Sequence, residues 1–172
     1  IIDIYNGNQP FYSSKKNSCI FFNGEIYNSP EISKFLKSKN YRISTKNDIE
    51  PLIYLYDYEG ISFLKKLNGI FAGCLIDNNI NKCYLFRDRW GVKPLYYGLD
   101  NKRLIYSSDI SPIRKLFIND CSYSNKGLSS YLSNRFVKAP YTFFKNIYEV
   151  LPGELIVIDL LNGKIEKKDR FF

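Results

Sequence analysis

Phe22-Asn23-Gly24-Glu25-Ile26-Tyr27-Asn28 closes an apolar run that begins at Cys19, and the reading of this stretch decides the fold. Cys19-Ile20-Phe21-Phe22 predicts a short buried strand, because a compact run of apolar and β-prone residues needs a sheet to cover its backbone groups. Asn23-Gly24 then interrupts it. Asparagine brings an amide donor and an acceptor on a short arm, and glycine lets a ligand approach the main-chain N–H. Together they can present two donors to one oxygen, as an oxyanion hole requires, with Glu25 alongside as a fixed negative charge for an ammonium group. Asn-Gly is also the commonest two-residue hairpin signal, and on this stretch alone the hairpin is the stronger reading.

The 172 residues around it fit one domain with a sizeable core, and 45% apolar against 24% charged residues is a globular composition, not a disordered one. No apolar run approaches the roughly 20 residues of a membrane helix. Nothing at the start resembles a secretory signal. The first residue is Ile1 and methionine is absent, so a piece of a longer or processed product is expected.

The four cysteines, Cys19, Cys74, Cys83 and Cys121, lie far apart without a C-x-x-C pair, and histidine is absent, which leaves zinc ligation and a Cys-His dyad unsupported. Cys19, Cys74 and Cys83 fall in apolar strand-like runs, where reduced buried thiols are the default, and a cytoplasmic protein is expected. A net charge of +8 with fifteen tyrosines invites a nucleic-acid reading. The lysines are scattered, however, and never form the basic stripe that tracks a phosphate backbone.

Taken in order, Ile1-Ile2-Asp3-Ile4 reads as a strand already in progress, followed by a turn at Tyr5 to Asn8 and a polar loop from Ser13 to Ser18. Ser29 can cap a helix with Pro30 at its first position, with Ile32, Phe35 and Leu36 on one face. Asn47-Asp48-Ile49-Glu50-Pro51 looks like a second helix start with Asp48 at or near the N-cap. A short helix spans Ile61 to Leu67, and Asn68-Gly69 closes it. Ile70 to Asp77 and Lys82 to Asp88 form an antiparallel hairpin, and Leu95 to Gly98 pairs with Leu104 to Ser107. Pro112 to Phe117 and Lys126 to Leu132 read as short helices. Glu154 to Leu160 and Lys164 to Lys167 make a terminal hairpin through Asn162-Gly163. The sheets should be mainly antiparallel with helices outside.

Four separate signals occur in one order: Phe22 to Asn28, Asn47-Asp48-Ile49-Glu50, Leu67-Asn68-Gly69-Ile70-Phe71-Ala72, and Arg87-Asp88-Arg89-Trp90-Gly91-Val92-Lys93-Pro94-Leu95-Tyr96-Tyr97. They resemble the glutaminase domain of glutamine-hydrolysing asparagine synthetases, which are class II glutamine amidotransferases with an N-terminal-nucleophile fold. The later Tyr106-Ser107-Ser108-Asp109 and Leu151-Pro152-Gly153-Glu154 are similar too, so the resemblance covers residues 1–172 as one domain. It implies an α+β, four-layer sandwich in which two mainly antiparallel sheets are stacked between helical layers. It also implies a reaction: an N-terminal cysteine attacks the side-chain amide of L-glutamine, releases ammonia and leaves a thioester that water hydrolyses. The free α-amine of that cysteine serves as the base, so no histidine is needed.

Carried over by resemblance, the Asn23 side chain and the Gly24 N–H stabilise the oxyanion, Glu25 and Asp48 hold the glutamine α-amino group, and the backbone of Ile1 and Ile2 lines the same pocket. Arg87, Asp88 and Lys93 keep a structural reading, as a salt-bridged loop supporting the pocket. The family's nucleophilic cysteine and carboxylate-binding arginine lie ahead of Ile1, so the chain as given is expected to be inert. Lys167 to Phe172 resembles the handover to a synthetase domain of the same chain, which would use ATP and Mg to activate aspartate. No metal and no cofactor is expected within residues 1–172, since no phosphate-gripping Gly-rich loop occurs. A homodimer is left open. Two other readings stand beside this one: a non-catalytic glutamine-binding or interaction module on the same fold, and a class II amidotransferase serving another acceptor. Amidotransferases acting on sugar phosphates or phosphoribosyl pyrophosphate usually have histidine where Phe22 stands, which favours the asparagine synthetase branch.

Overall fold

The computed structural model describes residues 3, 6–14, 17–99, 103–116 and 122–172. In chain order the strands are β1 (Phe11–Tyr12), β2 (Ser18–Ile26), β3 (Gly69–Asp77), β4 (Lys82–Arg87), β5 (Tyr96–Leu99), β6 (Leu104–Ser107), β7 (Ile147–Glu149), β8 (Glu154–Asp159) and β9 (Lys164–Arg170). The helices are α1 (Ser29–Ser38), α2 (Glu50–Glu59), α3 (Ile110–Leu116) and α4 (Asn125–Asn134), with a 3-10 helix at Gly60–Lys66 after α2. All strand pairings are antiparallel, in a six-stranded sheet of order β1-β2-β3-β4-β8-β9 and a three-stranded sheet of order β6-β5-β7.

The alternation along β2 explains the layering. Ile20, Phe22 and Ile26 face a core shared with Leu36 of α1, Leu52 and Ile53 of α2, and Phe63 of the 3-10 helix. Phe21 faces the other way, into a second core where Cys74, Leu85 and Ile156 meet Leu95 and Tyr97. The outer face of the small sheet carries Tyr96 and Ile105 against Ile110 and Ile113 of α3. Each fully buried apolar side chain contributes about 1.5–3 kcal/mol, which the two sheets can collect only by stacking. The result is the expected four-layer order: helices, sheet, sheet, helices.

The hairpin reading of Asn23-Gly24 is wrong. β2 runs straight through both residues, with Asn23 opposite Ala72 and Gly24 opposite Phe71. Glycine is there because β3 leaves no room: a Cβ on Gly24 would lie 2.1 Å from the Ile70 carbonyl oxygen and 2.7 Å from Phe71 Cα. Its φ of 148° is also one that side chains rarely permit. Gly69 makes the matching approach from the other side, its Cβ position 2.2 Å from the Glu25 carbonyl oxygen, so Asn68-Gly69 opens β3 instead of closing a helix.

Two helix starts differ from expectation: neither Ser29 nor Asp48 is the N-cap, and the residues that hold that position make no side-chain cap bond. α1 begins at Ser29 with Asn28 as N-cap, yet the Asn28 side chain makes no cap bond. Its amide donates to the Lys66 carbonyl (2.9 Å) and accepts from the Asn68 N–H (2.9 Å), tying α1 to the entrance of β3. α2 begins at Glu50 with Ile49 as N-cap and no side-chain cap bond, so Asp48 is not a cap. Asn47 instead accepts from the Ile49 N–H at 2.8 Å.

Glu50 fixes the segment leading to Asp48. Its carboxylate accepts from the Ser44 N–H (2.9 Å) and hydroxyl (2.7 Å) and from the Thr45 N–H (2.7 Å) and hydroxyl (2.6 Å). Burial pulls the Glu50 carboxyl upward, but these donors outweigh it and hold the group below the usual carboxylate range. A depressed native value means that the stabilisation is present above the ordinary carboxylate pKa and is lost as pH falls through the native one. Glu50→Gln turns an amide donor toward donors and is expected to lower stability by about 2–3 kcal/mol at neutral pH, measured by urea denaturation. The difference should shrink below about pH 4.

The expected strand from Ile1 to Ile4, Asp3 excepted, and Cys121 lie outside the described residues. Among the described residues, no helix is long and apolar enough to cross a membrane.

Candidate functional site

Asn23 and Glu25 share with Phe21 the face of β2 that turns toward the small sheet, by the period-two alternation of a strand. A cavity of about 390 Å³ opens there between the sheets. Asn23, Phe21, Ala72 and Cys74 line it from the large sheet, and Pro94, Leu95, Tyr106, Ser107 and Ser108 from the opposite side, with Gln9 at its rim. Burial first, then the neighbouring Cys74 thiol, holds the Tyr106 hydroxyl above the usual phenol range, so it stays protonated.

The edge of β2 is the second element of the site. Main-chain groups alternate in direction along a strand. Tyr27 donates to the Asn68 carbonyl on the β3 side (2.8 Å), which sends the N–H groups of Phe22, Gly24 and Ile26 to the opposite edge. There the Phe22 N–H donates to Gln9 Oε1 at 2.6 Å, and the Phe22 carbonyl accepts from Gln9 Nε2 at 2.7 Å. The Ile26 N–H donates to Asp48 Oδ2 at 2.8 Å. Gly24 lies between these two anchored positions, and among the described residues no group outside the sheet accepts from its N–H.

The structure therefore brings Asn23, Gly24, Glu25 and Asp48 to one strand end, with Asp48 buried and delivered from the segment before α2. Ile1 and Ile2 lie outside the described residues. The expected salt-bridged loop is arranged differently. Arg87 pairs not with Asp88 but with Glu149 across the sheets (2.6 Å), and also donates to the carbonyls of Lys93 (2.6 Å), Val150 (2.7 Å) and Gly91 (2.8 Å). Asp88, wholly buried, accepts main-chain N–H bonds from Trp90 (2.9 Å), Val92 (3.1 Å), Phe71 (3.2 Å) and Lys93 (3.2 Å). The loop is held by backbone capture, and through Phe71 it supports the strand that Gly24 packs on.

Gln9 and Tyr106 are the site neighbours that sequence reasoning missed. Gln9 stands in a turn-like stretch before Pro10, and only the short β1 register places it opposite β2. Cys74 is in the cavity wall, but its hydrogen bond with Cys83 (Sγ to Sγ 3.5 Å) and its burial push its thiol well up. Burial raises Cys19 likewise. Thiols so perturbed carry little thiolate at neutral pH and are poor nucleophiles. Among the described residues, no group of three or more His, Cys, Asp or Glu side chains is placed to hold a metal ion.

What this arrangement offers is a pair of adjacent donors, one from a side chain and one from the main chain, beside two carboxylates and a small cavity of mixed polar and apolar lining. The sequence matches the glutamine amidotransferase domain family over residues 1–171. It is 34% identical over 158 residues to glutamine-hydrolyzing asparagine synthetase 1 of Bacillus subtilis, covering 92% of this chain and 25% of that protein. To asparagine synthetase 2 of the same organism it is 32% identical over 175 residues, covering 95% of this chain and 22% of that protein. The chain thus spans about a quarter of the length of these relatives. Its fold is shared by the glutamine phosphoribosylpyrophosphate amidotransferase of B. subtilis solved with ADP and GMP, at a TM-score of 0.64 and 19% identity, over 98% of this chain and 32% of that one. With a family match that runs nearly end to end and a sandwich shared with a solved amidotransferase, the chain belongs to the class II glutamine amidotransferase domain family.

Proposed function

We propose that this domain hydrolyses L-glutamine within an asparagine synthetase-like enzyme, supplying ammonia to a synthetase domain of the same chain for the ATP-dependent amidation of aspartate. The observation that carries the reading is the Gly24 N–H, turned to the edge of β2 away from β3 beside Asn23, between two neighbours whose main chain is held by Gln9 and Asp48. Donors held in advance stabilise a developing oxyanion without reorganising at the moment of reaction.

In this reading the nucleophile is a cysteine at the N-terminus of the mature protein. Its sulfur attacks the amide carbon of glutamine while its proton passes to the free α-amine. Negative charge gathers on the former carbonyl oxygen, facing Asn23 and Gly24. The carbon–nitrogen bond then breaks, the α-amine returns the proton to the leaving ammonia, and water hydrolyses the thioester to glutamate. Glu25 and Asp48 Oδ1 accept from the α-ammonium group, while Asp48 Oδ2 stays with Ile26. In this reading Cys19, Cys74 and Cys83, internal residues without a free α-amine to take the proton, do not substitute for that nucleophile, so the 172-residue chain alone is expected to release no ammonia.

The test is glutamine-dependent ammonia release by the full-length protein. Asp48→Asn removes the charge but keeps the shape and is expected to raise KM about 10- to 100-fold with a smaller change in kcat. Full-length protein that releases no ammonia from glutamine overturns the reading. Glutamine binding without release would replace it with a glutamine-binding module.

A further inference from the structure

Strand β1 is two residues long, with Phe11 opposite Ile20 and Tyr12 opposite Cys19. Carried two residues further, the same register sets Gln9 opposite Phe22. The regular backbone ladder nevertheless covers only Phe11 and Tyr12. The Gln9 side chain takes over, accepting from the Phe22 N–H at 2.6 Å and donating to the Phe22 carbonyl at 2.7 Å. A primary carboxamide offers a donor and an acceptor as a peptide group does, so it replaces one rung of a strand where no strand continues. Glutamate lacks the donor, and asparagine is one methylene shorter.

The position of this rung gives it its importance. Phe22 is the residue before Asn23, and beyond it, among the described residues, the edge of β2 is next held at Ile26, by Asp48. The Phe22 ring is fixed independently, stacked on Phe71 with centroids 5.5 Å apart. Losing the Gln9 clamp would therefore free the main chain at Phe22 while the core contacts stay. We propose that Gln9 is a positioning residue for glutamine hydrolysis: its carboxamide fixes the backbone at Phe22 and so aims the Asn23 amide and the Gly24 N–H at the oxyanion. This rests on the function proposed above.

The experiment compares wild type, Gln9→Met and Gln9→Glu in the full-length protein, by steady-state ammonia release and by hydrogen exchange of the peptide spanning residues 20–26. Gln9→Met fills the same space without either hydrogen bond. It is expected to speed exchange in that peptide and to lower kcat about 10- to 100-fold, since small misplacements of catalytic donors are that costly, with KM within about threefold. Gln9→Glu cannot donate to the Phe22 carbonyl while ionised. Its kcat relative to wild type should rise as pH falls toward about 5, where a protonated carboxyl restores the donor. A purely structural role would not produce that pH-dependent rescue. Wild-type kcat in Gln9→Met despite faster exchange, or a flat pH ratio in Gln9→Glu, overturns the inference alone. Wild-type protein that releases no ammonia overturns the proposed function and this inference together, and that one assay separates the two failures.

Discussion

Asn23→Ala in the full-length protein is expected to lower kcat for glutamine hydrolysis about 10²- to 10³-fold, with KM changed by less than about threefold. The expectation rests on what Asn23 does and does not touch. Its side chain is exposed on the cavity face of β2, and among the described residues no hydrogen bond within the domain engages it. Truncation should thus leave the thermal midpoint close to wild type. A donor with no partner among the described residues, beside a main-chain N–H on the edge away from β3, is expected to act when an oxygen arrives. If that oxygen gains charge in the transition state, the loss falls on kcat. Asn23→Asp keeps the shape but removes the donor, and should be as impaired as the alanine variant. Steady-state ammonia release at saturating glutamine decides the matter, and unchanged kcat would remove Asn23 from the oxyanion role.

Gly24→Ala should fail at an earlier stage. The added methyl would sit 2.1 Å from the Ile70 carbonyl oxygen, and that oxygen is backbone in a paired strand that cannot swing aside. β2 and β3 would have to part within the six-stranded sheet, and a loss above about 4 kcal/mol, or no folding, is expected. Gly163→Ala supplies the comparison. Its φ of 67° is also unfavourable for a side chain, but nothing lies within 4 Å of its Cβ position. That substitution should cost about 1 kcal/mol, the backbone penalty by itself. Urea denaturation of both variants separates steric exclusion by β3 from the conformational term, and similar losses would mean that the close approach at Gly24 is not the cause.

The three local hairpins were legible because their signals are local. Strand-like runs flanking Asn78-Asn79-Ile80-Asn81 and Asn162-Gly163 declare both the pairing and the turn within a few residues of each other, and the pairing of β5 with β6 follows from two short runs close in sequence. β1 and β7, of two and three residues, are too short to show alternation, and they exist because longer neighbours offer an edge. At Asn23-Gly24, Asp48 and Asn68-Gly69 the local reading misleads for a shared cause. Each has a strong local signature, turn or cap, and in each a distant partner takes the residue instead: Ile70 and Phe71 against Gly24, Ile26 for Asp48, Asn28 for Asn68. The order of the motifs pointed to the site, because Asn-Gly-Glu and the later aspartate needed only to be recognised as a set. Gln9 was hidden, since its importance lies in a register that two residues of strand establish.

Arg87 carries a further consequence. Apolar contact between stacked sheets resists separation but is non-directional. A buried guanidinium with four fixed oxygen acceptors, drawn from its own loop and from Glu149 and Val150 across the interface, has no second position to slide to. It acts as a rivet through the two layers. Val150 also donates to the Leu95 carbonyl (2.9 Å), so the wall of the cavity near Leu95 is tied to the same rivet and keeps its place relative to the facing sheet.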